Sequence, residues 1–383
     1  MSLPKPYRKG LTPSSSSLRP HCLAQDRLRR WKPIKEPAED GAHPELSDLE
    51  LERILDMMNF TWAPRTRETY GAGLLVFHVF CDQRIPPVPE VLRGPASEQL
   101  LLNFLSSCAG AYSGTALKNY FYGVQAWHTL HGLPWNMDDT RMSAALTAVA
   151  RLAPPTSKRA KREPFTPAII SKIREHLDLS DPLDAAVFAC LTTTFWSGSR
   201  LGEFTVPSIR GFDPNRHVKR SNMSVVMESG ELRLPVTTFR LPWTKCAPNG
   251  EDVHWAPQSG SPDPAAALEN HLSINNPGPD EALFAWRHPR GLRPLSRSEF
   301  MKRINAAAAA AGLEPLQGHG IRIGSVLEYL LRGLPFEVVR TMGRWSSDAF
   351  VLYLRKHATI LAPYIQSTPI LEPFTRIAMP PVR

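Results

Sequence analysis

This sequence predicts a mainly α-helical protein with a small β-sheet, built as an N-terminal helical bundle followed by a C-terminal α+β domain. Three observations carry that prediction. Between residues 46 and 153 apolar side chains recur at three- and four-residue intervals, and no stretch alternates with the two-residue period of a strand. A proline-flanked basic run at 154–165 then breaks the pattern. Over 166–370 helical periodicity resumes on both sides of one strand-like region. The 383 residues fit two compact domains, with a basic arm (1–45) before them and a short tail (371–383) after.

The arm is rich in Ser, Pro, Lys and Arg (Ser14 to Ser17; Arg27, Arg29, Arg30), a composition expected to stay mobile because it buries too little apolar surface. The first helix carries Leu49, Leu51, Ile54, Leu55 and Met58 on one face. A second starts near Thr66, runs through Leu74 to Phe80 and is closed by Pro86 and Pro87. A third covers Glu98 to Ser107 with Leu101, Leu102 and Leu105 inward. The fourth, Ser113 to His131, ends at Gly132-Leu-Pro134, and a fifth spans Asp139 to about Leu152. Short connections suit antiparallel neighbours in a bundle. The aromatic stripe Tyr120, Tyr122, Trp127 reads as core.

Lys158, Arg159, Lys161 and Arg162 lie in the linker, as a solvated hinge, a track along a phosphate backbone or a nuclear import signal. Thr166-Pro167 and Asp181-Pro182 are helix starts, the second preceding the apolar run Ala185 to Phe195. Gly198 turns the chain into a short helix at Arg200, where Glu203 is a neighbour on the same face. Strand-like segments follow at Met223–Met227, Glu231–Val236 and Phe239–Leu241, then a turn-rich stretch with Lys245 and Asn249-Gly250. Pro264–Leu272 and Ser296–Ala311 are helical again.

Composition narrows the function classes. Hydrophobic residues are 42% of the chain, enough for real cores, yet no apolar run reaches the roughly 18 residues of a membrane span. No apolar segment follows the basic N-terminus, which argues against a secretory signal. The five cysteines (Cys22, Cys81, Cys108, Cys190, Cys246) are scattered with no Cys-x-x-Cys pair, indicating neither a disulfide framework nor a zinc site and fitting a reducing compartment. A formal net charge of +9 favours a polyanionic partner.

The stretch from Gln317 to Lys356 concentrates phosphate-binding chemistry: His319-Gly-Ile-Arg322-Ile-Gly, then Gly343-Arg344-Trp345-Ser-Ser-Asp-Ala-Phe and Tyr353. With Arg200 upstream, this order of Arg, His-x-x-Arg, Trp and Tyr resembles the catalytic domain of the tyrosine recombinases, the phage-integrase-like enzymes that cut and rejoin DNA. The wording around it is most similar to the crypton-type recombinases of eukaryotic, especially fungal, mobile elements.

The resemblance implies a core-binding helical domain, an integrase-like catalytic domain, double-stranded DNA as partner, assembly as a tetramer on DNA, nuclear localisation and no cofactor or metal. Stabilising the charge that builds on a phosphodiester under attack calls for fixed cations with several donors, and Arg200 and Arg322 are the expected clamp. By resemblance Tyr353 is the nucleophile, forming a 3′-phosphotyrosyl link, and His319 handles its proton. Trp345 would donate an indole N–H to the phosphate, and Lys245 would protonate the leaving 5′-oxygen, with Lys219 as the alternative lysine. One departure stands out. The nucleophile usually falls nine residues after the His/Trp position, and Tyr353 falls eight after Trp345, a difference of about 100° on a helix. Tyr364 is the fallback nucleophile. A descendant that binds DNA without cutting it is the alternative function, and a type IB topoisomerase has less support.

Overall fold

Side-chain caps set most of the helix boundaries. Ser47, Ser97, Ser113 and Asp138 each accept a hydrogen bond from the third residue of the helix that follows, taking up an N–H with no partner inside the helix. The computed structural model describes residues 4, 6–34, 47–157, 162–227 and 233–345. The chain divides into two units, residues 1–160 and 161–383.

The first unit contains α1 (Arg27–Arg30), α2 (Asp48–Asn59), α3 (Pro64–Gln83), α4 (Glu98–Cys108), α5 (Gly114–His131) and α6 (Asp139–Arg151). Leu74, Phe77, Leu101, Phe104, Leu117, Val124 and Trp127 form its core, all less than 2% exposed. Tyr120 and Tyr122 pack partly buried against that core beside Trp127.

Two expectations for this unit are corrected. Within the arm expected to be mobile, the described residues 6–34 pack onto the bundle, with Leu28 and Trp31 fully buried. Trp127 Nε1–H donates to the Trp31 carbonyl (2.7 Å) and Trp31 Nε1–H to the Pro20 carbonyl (3.0 Å). Arginines that composition reads as solvated are paired: Arg27 donates to the Gly71 carbonyl, and Arg19 meets Asp82 and Glu90. Helix α2 departs in the other direction. Leu55 and Met58 pack on the core, while Leu49 and Ile54 are exposed. Ion pairs from Arg29 to Glu52 (2.6 Å) and Asp56 (2.8 Å) help hold α2 against α1, so the apolar face is only partly used.

The second unit is organised around α8 (Pro182–Trp196), preceded by α7 (Pro167–Arg174). Every residue from Asp184 to Trp196 is buried, which is why the sequence there lacks a polar face. Its one carboxylate, Asp184, receives Arg303 Nε–H (2.5 Å) and NH2 (2.6 Å), so the charge enters the core paired. After α9 (Leu201–Phe204) come the antiparallel strands β1 (Met223–Met227), β2 (Pro235–Leu241) and β3 (Glu251–Trp255), in that order. Strand β2 is one element from Pro235 to Leu241, because Thr237 and Thr238 continue the ladder between the two expected segments. Phe239, Leu241, Val253 and Trp255 face inward, whereas Val225, Val226 and Met227 of the edge strand β1 are exposed.

Helix α10 (Pro264–Asn275), a hairpin of β4 (Trp286–His288) and β5 (Gly291–Arg293), α11 (Arg297–Ala310), α12 (Gly318–Leu331) and α13 (Phe336–Met342) complete the described part. Residues 163–165 run directly against α12, and Phe165 N–H donates to the Gly320 carbonyl (3.1 Å). This approach needs glycine: a Cβ on Gly324 would lie 1.8 Å from the Phe165 carbonyl oxygen, and one on Gly320 2.4 Å from that of Glu163. The glycines of His-Gly-Ile-Arg-Ile-Gly therefore seat the helix that carries His319 and Arg322. Among the described residues no helix is long and apolar enough to cross a membrane.

Two predictions follow from this packing. Gly324→Ala should lower the stability of the second unit by about 1–3 kcal/mol, because backbone rather than a flexible side chain must move; a denaturant titration measures it. The buried histidines His128 and His271 should make the protein acid-sensitive. Ala96 N–H donates to His128 Nε2 (2.8 Å) and Asn275 donates to His271 Nδ1 (3.0 Å), so each ring accepts one bond and is held neutral. Burial lowers each pKa to about 4. An unfolded chain takes up these protons near pH 6.5, so thermal stability should hold above that pH and fall between 6.5 and 4. His128→Gln should reduce the slope.

Candidate active site

The turn at Gly198 (φ +60°) delivers Arg200 to the N-terminal end of α9. Glu203 on α9 receives Arg200 twice, from the backbone N–H (2.8 Å) and from NH1 (3.0 Å). Burial opposes the guanidinium charge, but Glu203 outweighs it, and the Arg200 pKa is raised. For Glu203 burial likewise works against ionisation, and Arg344 together with Arg200 reverses it, leaving the carboxyl below its usual range.

Arg200 faces a cavity of ≈ 570 Å³ whose walls include Lys245, His319 and Arg322. These residues come from three segments: the start of α9, the connection between β2 and β3, and two successive turns of α12. Arg216, His217, Trp243 and Arg297 extend the wall, with Arg216 stacked 4.4 Å from the Trp243 ring centroid. The hollow is thus lined by four arginines, a lysine and two histidines against Glu203 and Asp213, a setting for an anion. Of the two lysines considered from sequence, Lys245 lines it, and Lys219 is bound to Asp280 (2.8 Å).

Arg322 is 1% exposed, and its NH2 donates to the Gly343 carbonyl. The Trp345 ring lies 4.1 Å from its guanidinium carbon. That ring also packs against the small cluster of Val326, Leu327, Leu330 and Val339, so it supports Arg322 from the apolar side. Tyr353, Tyr364 and the linker residues Lys158, Arg159 and Lys161 lie outside the described residues.

The residue passed over from sequence is Arg344. Its side chain, 11% exposed, spans two carboxylates: NH2 to Glu203 Oε2 (2.6 Å) and NH1 to Glu251 Oε1 (2.6 Å). A signal for it was present in the eight-residue interval, since counting nine back from Tyr353 reaches Arg344 rather than Trp345.

His319 sits among cations. Burial is the largest cause of its lowered pKa, followed by Arg162, Arg322, Arg200 and Arg297, and together they bring it down to about 4. At neutral pH the imidazole is therefore uncharged and able to accept a proton.

No protein-family model matches the sequence, and no curated protein does so. Among solved structures, the chain is similar to the XerH site-specific recombinase bound to palindromic difH substrate in a post-cleavage complex. That match has a TM-score of 0.54 and 16% identity, and covers 86% of this chain and 91% of that one. A pre-cleavage complex of XerH with difH matches with a TM-score of 0.51 and 15% identity, over 90% of this chain and 95% of that one. The chain has the tyrosine recombinase fold. Within this recombinase fold, the basic cavity is the feature of the second unit that invites chemistry.

In the free protein His319 should titrate near pH 4, followed by NMR of its ring carbons. Arg162→Ala and Arg297→Ala should each raise that value by removing a positive neighbour, and a bound phosphodiester should raise it further. A titration near pH 6.5 would mean that the ring is neither buried nor surrounded by these cations.

Proposed function

We propose that this protein cleaves and rejoins duplex DNA as a tyrosine recombinase. The observation that supports the reading best is the shared cavity, in which Arg200, Lys245, His319 and Arg322 converge from three separate segments. The likeness in fold to XerH, described in pre- and post-cleavage complexes with its difH substrate, supports it as well.

In this mechanism Arg200 and Arg322 fork onto the non-bridging oxygens of one phosphodiester and stabilise the charge that grows there. The Tyr353 oxygen forms a bond to phosphorus, giving its proton to neutral His319, and the bond to the 5′-oxygen breaks. Lys245, in the turn-rich connection between β2 and β3, supplies the proton that the leaving 5′-oxygen takes. The phosphotyrosyl ester retains the energy of the original bond, so a 5′-hydroxyl from another strand reverses the step without a nucleotide cofactor. Trp345 supports Arg322 by stacking. The proposal extends to a crypton-type mobile element as source, a nuclear site of action and a tetramer on two paired DNA sites.

A nicked suicide duplex tests the chemistry by letting the 5′-product diffuse away. Wild-type protein should accumulate a covalent protein–DNA adduct, and Tyr353→Phe should abolish it. Arg200→Ala and Arg322→Ala should each slow adduct formation by about 100-fold or more. Both should keep DNA binding within about tenfold, since other phosphate contacts remain. DNA binding with no adduct from wild type would establish a binding protein instead.

A further inference from the structure

We infer that Arg344 is a positioning residue that fixes the Arg200 guanidinium and the Lys245 turn to the segment that leads into Tyr353. The inference rests on the recombinase reading for the chemistry it serves, and on four contacts for its geometry.

Arg344 has φ +57°, a left-handed conformation that a residue with a Cβ seldom adopts. Its side chain explains why the conformation is kept. One end of the guanidinium binds Glu203, the carboxylate that also takes the backbone N–H and NH1 of Arg200. The other end binds Glu251 Oε1, which also accepts Thr244 Oγ1–H (2.6 Å). Thr244 Oγ1 accepts Ala247 N–H (3.0 Å), and Ala247 in turn accepts Thr244 N–H (3.0 Å) at its carbonyl. The turn so closed, residues 244–247, carries Lys245. The neighbours of Arg344 are engaged too: the Gly343 carbonyl receives Arg322, and the Trp345 ring covers it. Three consecutive residues thus touch the supports of Arg200, Lys245 and Arg322.

Charge makes the same point. Glu203 and Glu251 together carry two negative charges beside a hollow suited to a phosphate, and Arg200 alone cannot neutralise both. Without Arg344, Glu251 would be left uncompensated near Lys245, drawing that lysine from its task and repelling the substrate. An arginine suits the role because its planar fork spans two carboxylates, whereas an ammonium is a point charge.

Cys246 provides a direct readout. Its thiol is exposed in the Lys245 turn, 3.9 Å from Arg200 NH2, and the other four cysteines are buried. A trifluoromethyl reagent on Cys246, with Cys246→Ser as the labelling control, reports the turn by fluorine NMR. Arg344→Ala should shift or broaden that signal, and Glu251→Gln should move it in the same direction. Arg344→Lys should give an intermediate spectrum. On the nicked duplex, Arg344→Ala should slow single-turnover cleavage by about 100-fold, with the Kd for DNA changed by less than about threefold, the signature of misplaced groups.

An unchanged fluorine signal, or cleavage at the wild-type rate, in a folded Arg344→Ala protein would overturn the inference. If that variant does not fold, the same two readings on Glu251→Gln decide the matter. If wild type forms no adduct, the recombinase reading fails on its own, and the fluorine signal still decides whether Arg344 holds the turn.

Discussion

Guanidinium groups gathered around one hollow repel one another, and the structure depends on Glu203 to hold them together. Its carboxylate, only 8% exposed, lies between Arg200 and Arg344 and binds both. Placing it on a single helical turn immediately after Arg200 fixes the first arginine locally, and the third residue of the helix caps its own start. The longer-range bond to Arg344 then closes the distance between parts of the chain 141 residues apart. A buried carboxylate with fewer cationic partners would favour its neutral form, so the group is stable as an anion only because the arginines surround it. Carboxylate and arginines therefore require each other.

Much of the architecture was legible from residue spacing. Caps such as Thr166 and Asp181, with proline immediately after, located helix starts, and the polar-free run of α8 located the centre of the second unit. Strand β3 was not read from sequence: in Glu251-Asp-Val-His-Trp the two-residue alternation rests on Val253 and Trp255 alone, too short a run to stand out beside the Asn249-Gly250 turn. The arm was misread for a related reason. Arg19 and Arg27 count as solvated charges in any composition argument, and only tertiary partners many residues away make their burial tolerable. Local pattern reports propensity, and these segments are held by distant contacts.

The candidate site shows the same division. Order along the chain, through the family resemblance it carries, singled out Arg200, Lys245, His319 and Arg322, with Lys219 as the alternative lysine. Which side of the backbone a neighbour takes was not legible. Arg344 and Trp345 are adjacent, and the left-handed turn sends one guanidinium to the carboxylates and the following ring against an apolar cluster. Glycines at 320 and 324 belong to a further class. Their role is to be small where another backbone passes, and only the crossing of residues 163–165 makes that visible.

Strand β1 has a consequence for anyone handling this protein. As an edge of its three-stranded sheet it presents one row of backbone donors and acceptors outward, and Val225, Val226 and Met227 beside them are uncovered. Such a border can accept a foreign strand without any DNA present. Concentration-dependent self-association in a sizing column would then report sheet extension rather than a functional assembly, and Val225→Lys is the substitution that would separate the two.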